Sequence, residues 1–187
     1  MDFRPKPIDF GFVILAPEPN VGRIKTTRNC IRYRYTDSFP CICVVGSHTK
    51  PALFNEVGEV CPVYKGKRTI TSMINTGMKK GSKGWNFLIM EGMSVIQGLD
   101  RQYSKFIEKE TDVLFPLTID KDMMGKPVNM HLSFVECSLN GICIHQNFYK
   151  EVGDMHNNTL ELERLLWALS AINKGCQFKG LVGIKGI

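Results

Sequence analysis

Glu91 ends an apolar run, Phe87-Leu88-Ile89-Met90, and is followed directly by Gly92. That run is too apolar for a half-solvated strand and suits the middle of a sheet covered on both faces. In open α/β sheets, ligands bind at the carboxyl ends of the strands. A carboxylate beside a glycine at that edge is therefore the first place to expect chemistry. Immediately upstream, Ile70, Met73, Ile74, Gly77 and Met78 recur at helical spacing and predict a helix with one apolar stripe. The segment KKGSKG, with its two glycines, breaks that helix before the strand.

The elements that must position Glu91 alternate along the chain. Phe10 to Ala16 reads as a buried strand closed by the turn PEPN, which carries Pro17 and Glu18. A helix from Val21 to Tyr35 follows, with Ile24, Thr27, Ile31 and Tyr35 on one side. Its basic flank of Lys25, Arg28 and Arg32 reads first as a solvated face and second as a phosphate contact. Phe39 to Gly46 is a second buried strand, ending in a polar turn with Ser47 and His48. A short helix over Pro51 to Glu56 and a brief strand over Val60 to Tyr64 lead into the segment around Glu91. Beyond it the spacing predicts a helix over Leu99 to Glu110, then a strand over Asp112 to Asp120. Pro116 sets that strand near an edge or bulge. Lys121 to Asn129 is a polar loop, Gly141 to His145 a strand, and a turn follows. The last helix is expected over Thr159 to Lys174, burying Leu162, Leu165, Leu166, Leu169 and Ile172, and the final residues add an edge strand. This alternation predicts a single α/β domain over residues 1–187, with a doubly wound, mostly parallel sheet and helices on both faces.

Composition narrows the class. The chain has 187 residues, 43% hydrophobic and 22% charged, ordinary values for a globular protein. Its apolar runs fall far short of the ~20 residues that span a bilayer. The start, MDFRPKPIDF, has charges and prolines where a signal peptide has an apolar stretch. Seven cysteines without a CxxC pair fit reduced, buried thiols in a cytoplasmic protein better than disulfides or zinc. The net charge of +6 admits nucleic acid, but the basic residues lack interleaved aromatics, so that reading ranks last. The sequence contains no G-x-G-x-x-G, GxxxxGK[ST] or G-x-S-x-G.

The order of segments resembles the GT-A glycosyltransferases of the family-2 type. The matching pieces are Asn75 with Gly77, then WNFLIMEG, NGICIHQNFYKEVGDM and LELERLLWALSAINKG, within a likeness running from about Phe10 to Phe178. Three departures stand beside them. The family's Asp-x-Asp is reduced to Met90-Glu91-Gly92, the second strand ends in Gly46-Ser47-His48 without an aspartate, and no arginine precedes Asn75.

The resemblance implies transfer of a hexose, with inversion, from a nucleoside diphosphate sugar to an unknown acceptor. It places Pro17, Glu18, Arg23, Ser47, His48 and Asn75 around the nucleotide. It implies Mn²⁺ or Mg²⁺ held through Glu91, with His145 as a further candidate ligand. A lone carboxylate makes a poor metal site until a diphosphate adds its own oxygens. The general base is expected at the start of the last helix, where Glu161 and Glu163 lie ~200° apart and cannot both face one acceptor. Glu161 fits a capping box with Asn158, which leaves Glu163 as the preferred base. The alternative is a catalytically degenerate module that keeps the fold and binds nucleotide sugars.

Overall fold

The computed structural model describes residues 9–35, 39–95, 103, 107, 111–117, 134, 140–156 and 160–182. The strands are β1 (Phe10–Ala16), β2 (Cys41–Gly46), β3 (Val63–Gly66), β4 (Trp85–Met90), β5 (Thr111–Leu117), β6 (Ile142–His145) and β7 (Gln177–Val182). The helices are α1 (Val21–Tyr35), α2 (Pro51–Val60), α3 (Ile70–Lys80), α4 (Gln146–Val152) and α5 (Leu160–Asn173). The expected helix over residues 99–110, apart from Tyr103 and Ile107, and the loop over 121–129 lie outside the described residues.

The strands form one sheet in the order β3-β2-β1-β4-β6-β5-β7. β1 runs parallel to β2 and β4, β2 to β3, and β5 to β7; β6 alone runs antiparallel to its neighbours. All of β1 and β2 is buried, as expected of strands covered on both faces. Their side chains alternate between two cores. Val13, Leu15 and Val44 meet α3, α4 and α5 through Met73, Met78, Phe148 and Trp167. Phe12, Ile14, Cys43 and Val45 meet α1 and α2 through Ile24, Ile31, Tyr35 and Val57. Gly77 is what lets α3 lie flat on β1, since a Cβ there would sit 2.4 Å from a Val13 methyl.

Four expectations need correction. The helix from Pro51 continues to Val60, so β3 begins only at Val63. The turn after β6 is a helix, α4. β5 is an inner strand between β6 and β7 rather than an edge, and it carries the other expected feature, a bulge-like register shift between Thr111 and Val113; β6 pairs with Val113 and Leu114, so Pro116 lies past that ladder and costs it no hydrogen bond. On α5 the buried face is Glu163, Arg164, Trp167, Ala168 and Ala171, while Leu162, Leu166, Leu169 and Ile172 are exposed. The alanines let the helix approach the core, and Trp167 fills it against Phe148, Tyr149 and Phe178. Six described cysteines are free thiols, in line with the reduced state expected of them. No helix among the described residues is long and apolar enough to cross a membrane.

Candidate functional site

β1, β2 and β4 are parallel neighbours, so their carboxyl ends open onto one edge. There Pro17 and Glu18 follow β1, the exposed Ser47 and His48 follow β2, and Glu91 and Gly92 follow β4. The turns are close-packed. A Cβ on Gly46 would lie 2.5 Å from His48 Cε1 and 3.1 Å from the Pro17 carbonyl oxygen. Thr49 N–H closes the turn onto the Gly46 carbonyl at 3.0 Å. Lys65, reaching from β3, donates to the Thr49 carbonyl at 3.3 Å while its ammonium lies 5.1 Å from the Phe54 ring centre.

Glu91 has a local partner already. Its Oε2 accepts the Asn20 N–H at 2.9 Å, and Asn20 Oδ1 accepts the Arg23 N–H at 3.1 Å, capping α1. The carboxylate thus sits at the positive end of that helix. Its pKa is raised, because burial outweighs the opposing effects of the Asn20 hydrogen bond and the Arg23 guanidinium. Gly92 turns the chain at φ +82°, a conformation that favours glycine, and the Arg23 stem lies over it.

A second feature lies on the α3 side of the sheet. The Asn75 side chain clamps the loop after α4: Nδ2 donates to the Met155 carbonyl at 2.7 Å and Oδ1 accepts the Met155 N–H at 3.0 Å. Tyr149 Oη also donates to that Oδ1. Trp167 Nε1 donates to the Gly153 carbonyl at 2.9 Å, and Glu163 Oε2 accepts the His156 N–H at 2.6 Å. Between α3 and the clamped loop lies a groove of ≈ 430 Å³, whose wall includes Lys65, Lys67, Lys79 and Asp154. A smaller cavity of ≈ 200 Å³ adjoins it, sharing Asp154, Met155 and His156 and adding Glu163 and Trp167. Lys79 and Asp154 form an ion pair across the groove.

Six of the expected residues therefore gather at one edge: Pro17, Glu18, Arg23, Ser47, His48 and Glu91. The Asn75 amide is committed to Met155. Glu163 is only 1% exposed and borders the smaller cavity, whereas Glu161 is exposed and lines neither space. Asn158, its expected capping partner, lies outside the described residues. His145 does not reach Glu91. It pairs with Trp85 at the start of β4, so the length of that strand, ~3.3 Å per residue, separates the two. There it stacks edge-on against Trp85, with Asp112 nearby; burial lowers its pKa against the pull of that carboxylate. Among the described residues no three His, Cys, Asp or Glu side chains gather as metal ligands. The described side chains therefore do not build a resident ion site, and the half-buried Glu91 fits an ion only where a ligand supplies further oxygens. Sequence reasoning missed Asp154, Lys65 and Lys67 as wall residues; the Val152-Gly153 turn was the available signal.

The strand order, with β6 reversed and three parallel carboxyl ends facing one crevice, decides the architecture. The fold is GT-A. TarS residues 1–349 from S. aureus superpose with a TM-score of 0.57 at 13% identity, covering 88% of this chain and 55% of that one. Glucosyl-3-phosphoglycerate synthase from Mycobacterium tuberculosis, solved with Mg²⁺ and uridine diphosphate, superposes at 0.63 and 8% identity, covering 94% and 69%. This chain thus spans little more than half of the first and about two thirds of the second. No family model and no curated protein matches by sequence.

Proposed function

We propose that the protein transfers a sugar from a nucleoside diphosphate sugar to an acceptor hydroxyl, with inversion at the anomeric carbon. The observation that carries this reading is the gathering of Pro17, Glu18, Ser47, His48, Arg23 and Glu91 at the carboxyl edge of β1, β2 and β4. The uridine diphosphate held by the M. tuberculosis neighbour on the same fold supports it. In this reading the base packs between the β1 and β2 turns, and the Arg23 guanidinium neutralises charge on the leaving diphosphate. Glu91 would give one oxygen to Mn²⁺ or Mg²⁺ held together with the nucleotide, an ion that would offset charge on the diphosphate. The acceptor oxygen attacks the anomeric carbon as the bond to the diphosphate breaks, and its proton passes to Glu163 from the smaller cavity.

One observation favours a second reading, a nucleotide-sugar-binding module without turnover. Both key carboxylates already serve the fold, Glu91 on Asn20 and Glu163 on His156. Titration with uridine and guanosine diphosphates, followed by sugar-release assays on the corresponding donors, separates the two. Nucleotide binding with no release in the presence of any acceptor would favour the module.

A further inference from the structure

Helix α5 turns one side to the core and leaves the other bare. Glu163, Arg164, Trp167, Ala168 and Ala171 are buried, and the opposite side carries Leu162, Leu165, Leu166, Leu169 and Ile172. Leu162 is 45% exposed, Leu166 42%, Leu169 49% and Ile172 37%. Among the described residues the one other large hydrophobic so exposed is Tyr33, on α1. Apolar side chains exposed singly are ordinary, but four on one helix face form a patch that has a use. The face also lacks charge. After the buried Arg164 the next charged residue is Lys174, just past the helix end, and only Ser170 and Asn173 are polar between them.

We propose that this face pairs with the same face of a second copy of the chain, as a two-fold antiparallel helix pair. The proposal is independent of the transferase reading. Leu162, Leu165, Leu169 and Ile172 step by three, four and three residues, the spacing of a two-helix seam, and Leu166 lies beside it. Such a stripe complements itself. With the two-fold axis near residue 167, Leu162 meets the other copy's Ile172, and Leu165 meets its Leu169. The ends select the direction. Glu161 is exposed at the amino end, and the exposed Lys174 at the carboxyl end donates only to the neutral Glu151 carbonyl, so it keeps its charge. Antiparallel pairing brings these unlike ends together and opposes the helix dipoles; parallel pairing does neither. The four exposed side chains present roughly 300 Å² of apolar surface, the size of patch that is often functional. Two copies bury roughly 600 Å² of it, enough to fill the apolar part of an interface of about 1,000 Å². That is the lower limit for a specific association, so the dimer is reversible rather than obligate. Leu166 and Ser170 also border the smaller cavity, so the other copy's helix runs along its rim.

Sedimentation equilibrium on the full chain tests the pairing. A monomer–dimer equilibrium with a Kd of about 1–100 µM is expected for an interface of that size. KCl should weaken it little, because no ion pair lies in the seam. Leu169→Glu sets a charge in the seam twice per dimer and should raise Kd at least about tenfold. Tyr33→Glu should leave Kd unchanged, and circular dichroism should show both variants folded, since both positions are exposed. Cross-linking reads the direction. Leu162→Cys combined with Ile172→Cys should give a disulfide-linked dimer on oxidation with diamide, against a wild-type control for the native thiols. Either single variant should stay unlinked, because identical positions of an antiparallel pair lie about 15 Å apart along the helices. A chain that stays monomeric at millimolar concentration, a dimer indifferent to Leu169→Glu, or linkage in the single variants would overturn the proposal. So would a monomer that floats with phosphatidylglycerol vesicles and loses that property on Leu169→Glu, which would assign the face to a lipid surface.

Discussion

Asn75→Ala is expected to unfasten the loop that walls the groove. The native side chain takes part in three hydrogen bonds, two with the Met155 main chain and one from Tyr149 Oη. Met155 and Tyr149 are both buried, so water replaces these bonds poorly. At about 0.5–1.5 kcal/mol net for each bond, the loss is about 2–4 kcal/mol. Alanine recovers roughly 0.5 kcal/mol, because it is the better helix former within α3. The net destabilisation of about 2–3 kcal/mol corresponds to a fall in Tm of roughly 5–10 °C for a chain of this size. Calorimetry reads the global effect, and hydrogen exchange at the Met155 amide reads the local one. Asn75→Asp keeps the acceptor for the Met155 N–H but sets a carboxylate oxygen against the Met155 carbonyl. That repulsive contact should keep Asn75→Asp below wild type in Tm at pH 7. A Tm for Asn75→Ala within 1–2 °C of wild type, with the Met155 amide still protected, would refute the clamp.

Further outcomes follow from the same geometry. Glu163→Gln should lower sugar transfer about a hundred- to ten-thousandfold while sparing nucleotide affinity, and Glu161→Gln should leave transfer near wild type; steady-state kinetics with calorimetry checks both. Glu91 has a raised pKa from burial, so its ionised form costs stability once pH passes that value, and the fold favours it most below its ordinary value near 4.5. Glu91→Gln, whose amide oxygen can still accept the Asn20 N–H, should thus match or exceed wild-type Tm at pH 7, with the difference closing in acid. The same variant should lose Mn²⁺ binding, which in wild type is expected only with uridine diphosphate present. Gly46→Ala must push His48 or the Pro17 carbonyl aside, a strain of about 1–3 kcal/mol. It should weaken nucleotide binding roughly tenfold, measured by calorimetry.

Much of the frame was legible because two-sided burial leaves a continuous apolar run. β1 stands where FGFVILA predicts it, and α1 buries the expected Ile24, Thr27, Ile31 and Tyr35. The misreadings of α5, His145 and Glu91 share a cause: each depended on a partner distant in sequence. On α5 the leucines outrank Ala168 and Ala171 in hydropathy, but close approach to the core favoured the small residues. Arg164 is buried there because Phe134 offers its ring face at 5.1 Å and its carbonyl as acceptor. His145 was misplaced because a strand's own sequence does not say which way it runs, and β6 is the reversed one. Glu91 was legible as a strand-end carboxylate, but its commitment to Asn20 was not, since that bond spans 71 residues. Asn75 belongs with it: its spacing put it on α3, and only the packing of α4 and its loop showed what its amide holds.

The central claim is that the carboxyl edge of β1, β2 and β4 holds the nucleotide of a sugar donor. Titrating uridine and guanosine diphosphates into the protein while following backbone amide NMR shifts tests it most directly. Saturable binding of one diphosphate, with the largest shifts at Glu18, Ser47, His48 and Gly92, is the result expected. Binding of neither nucleotide, or shifts centred on the Trp85 and His145 edge, would contradict the account.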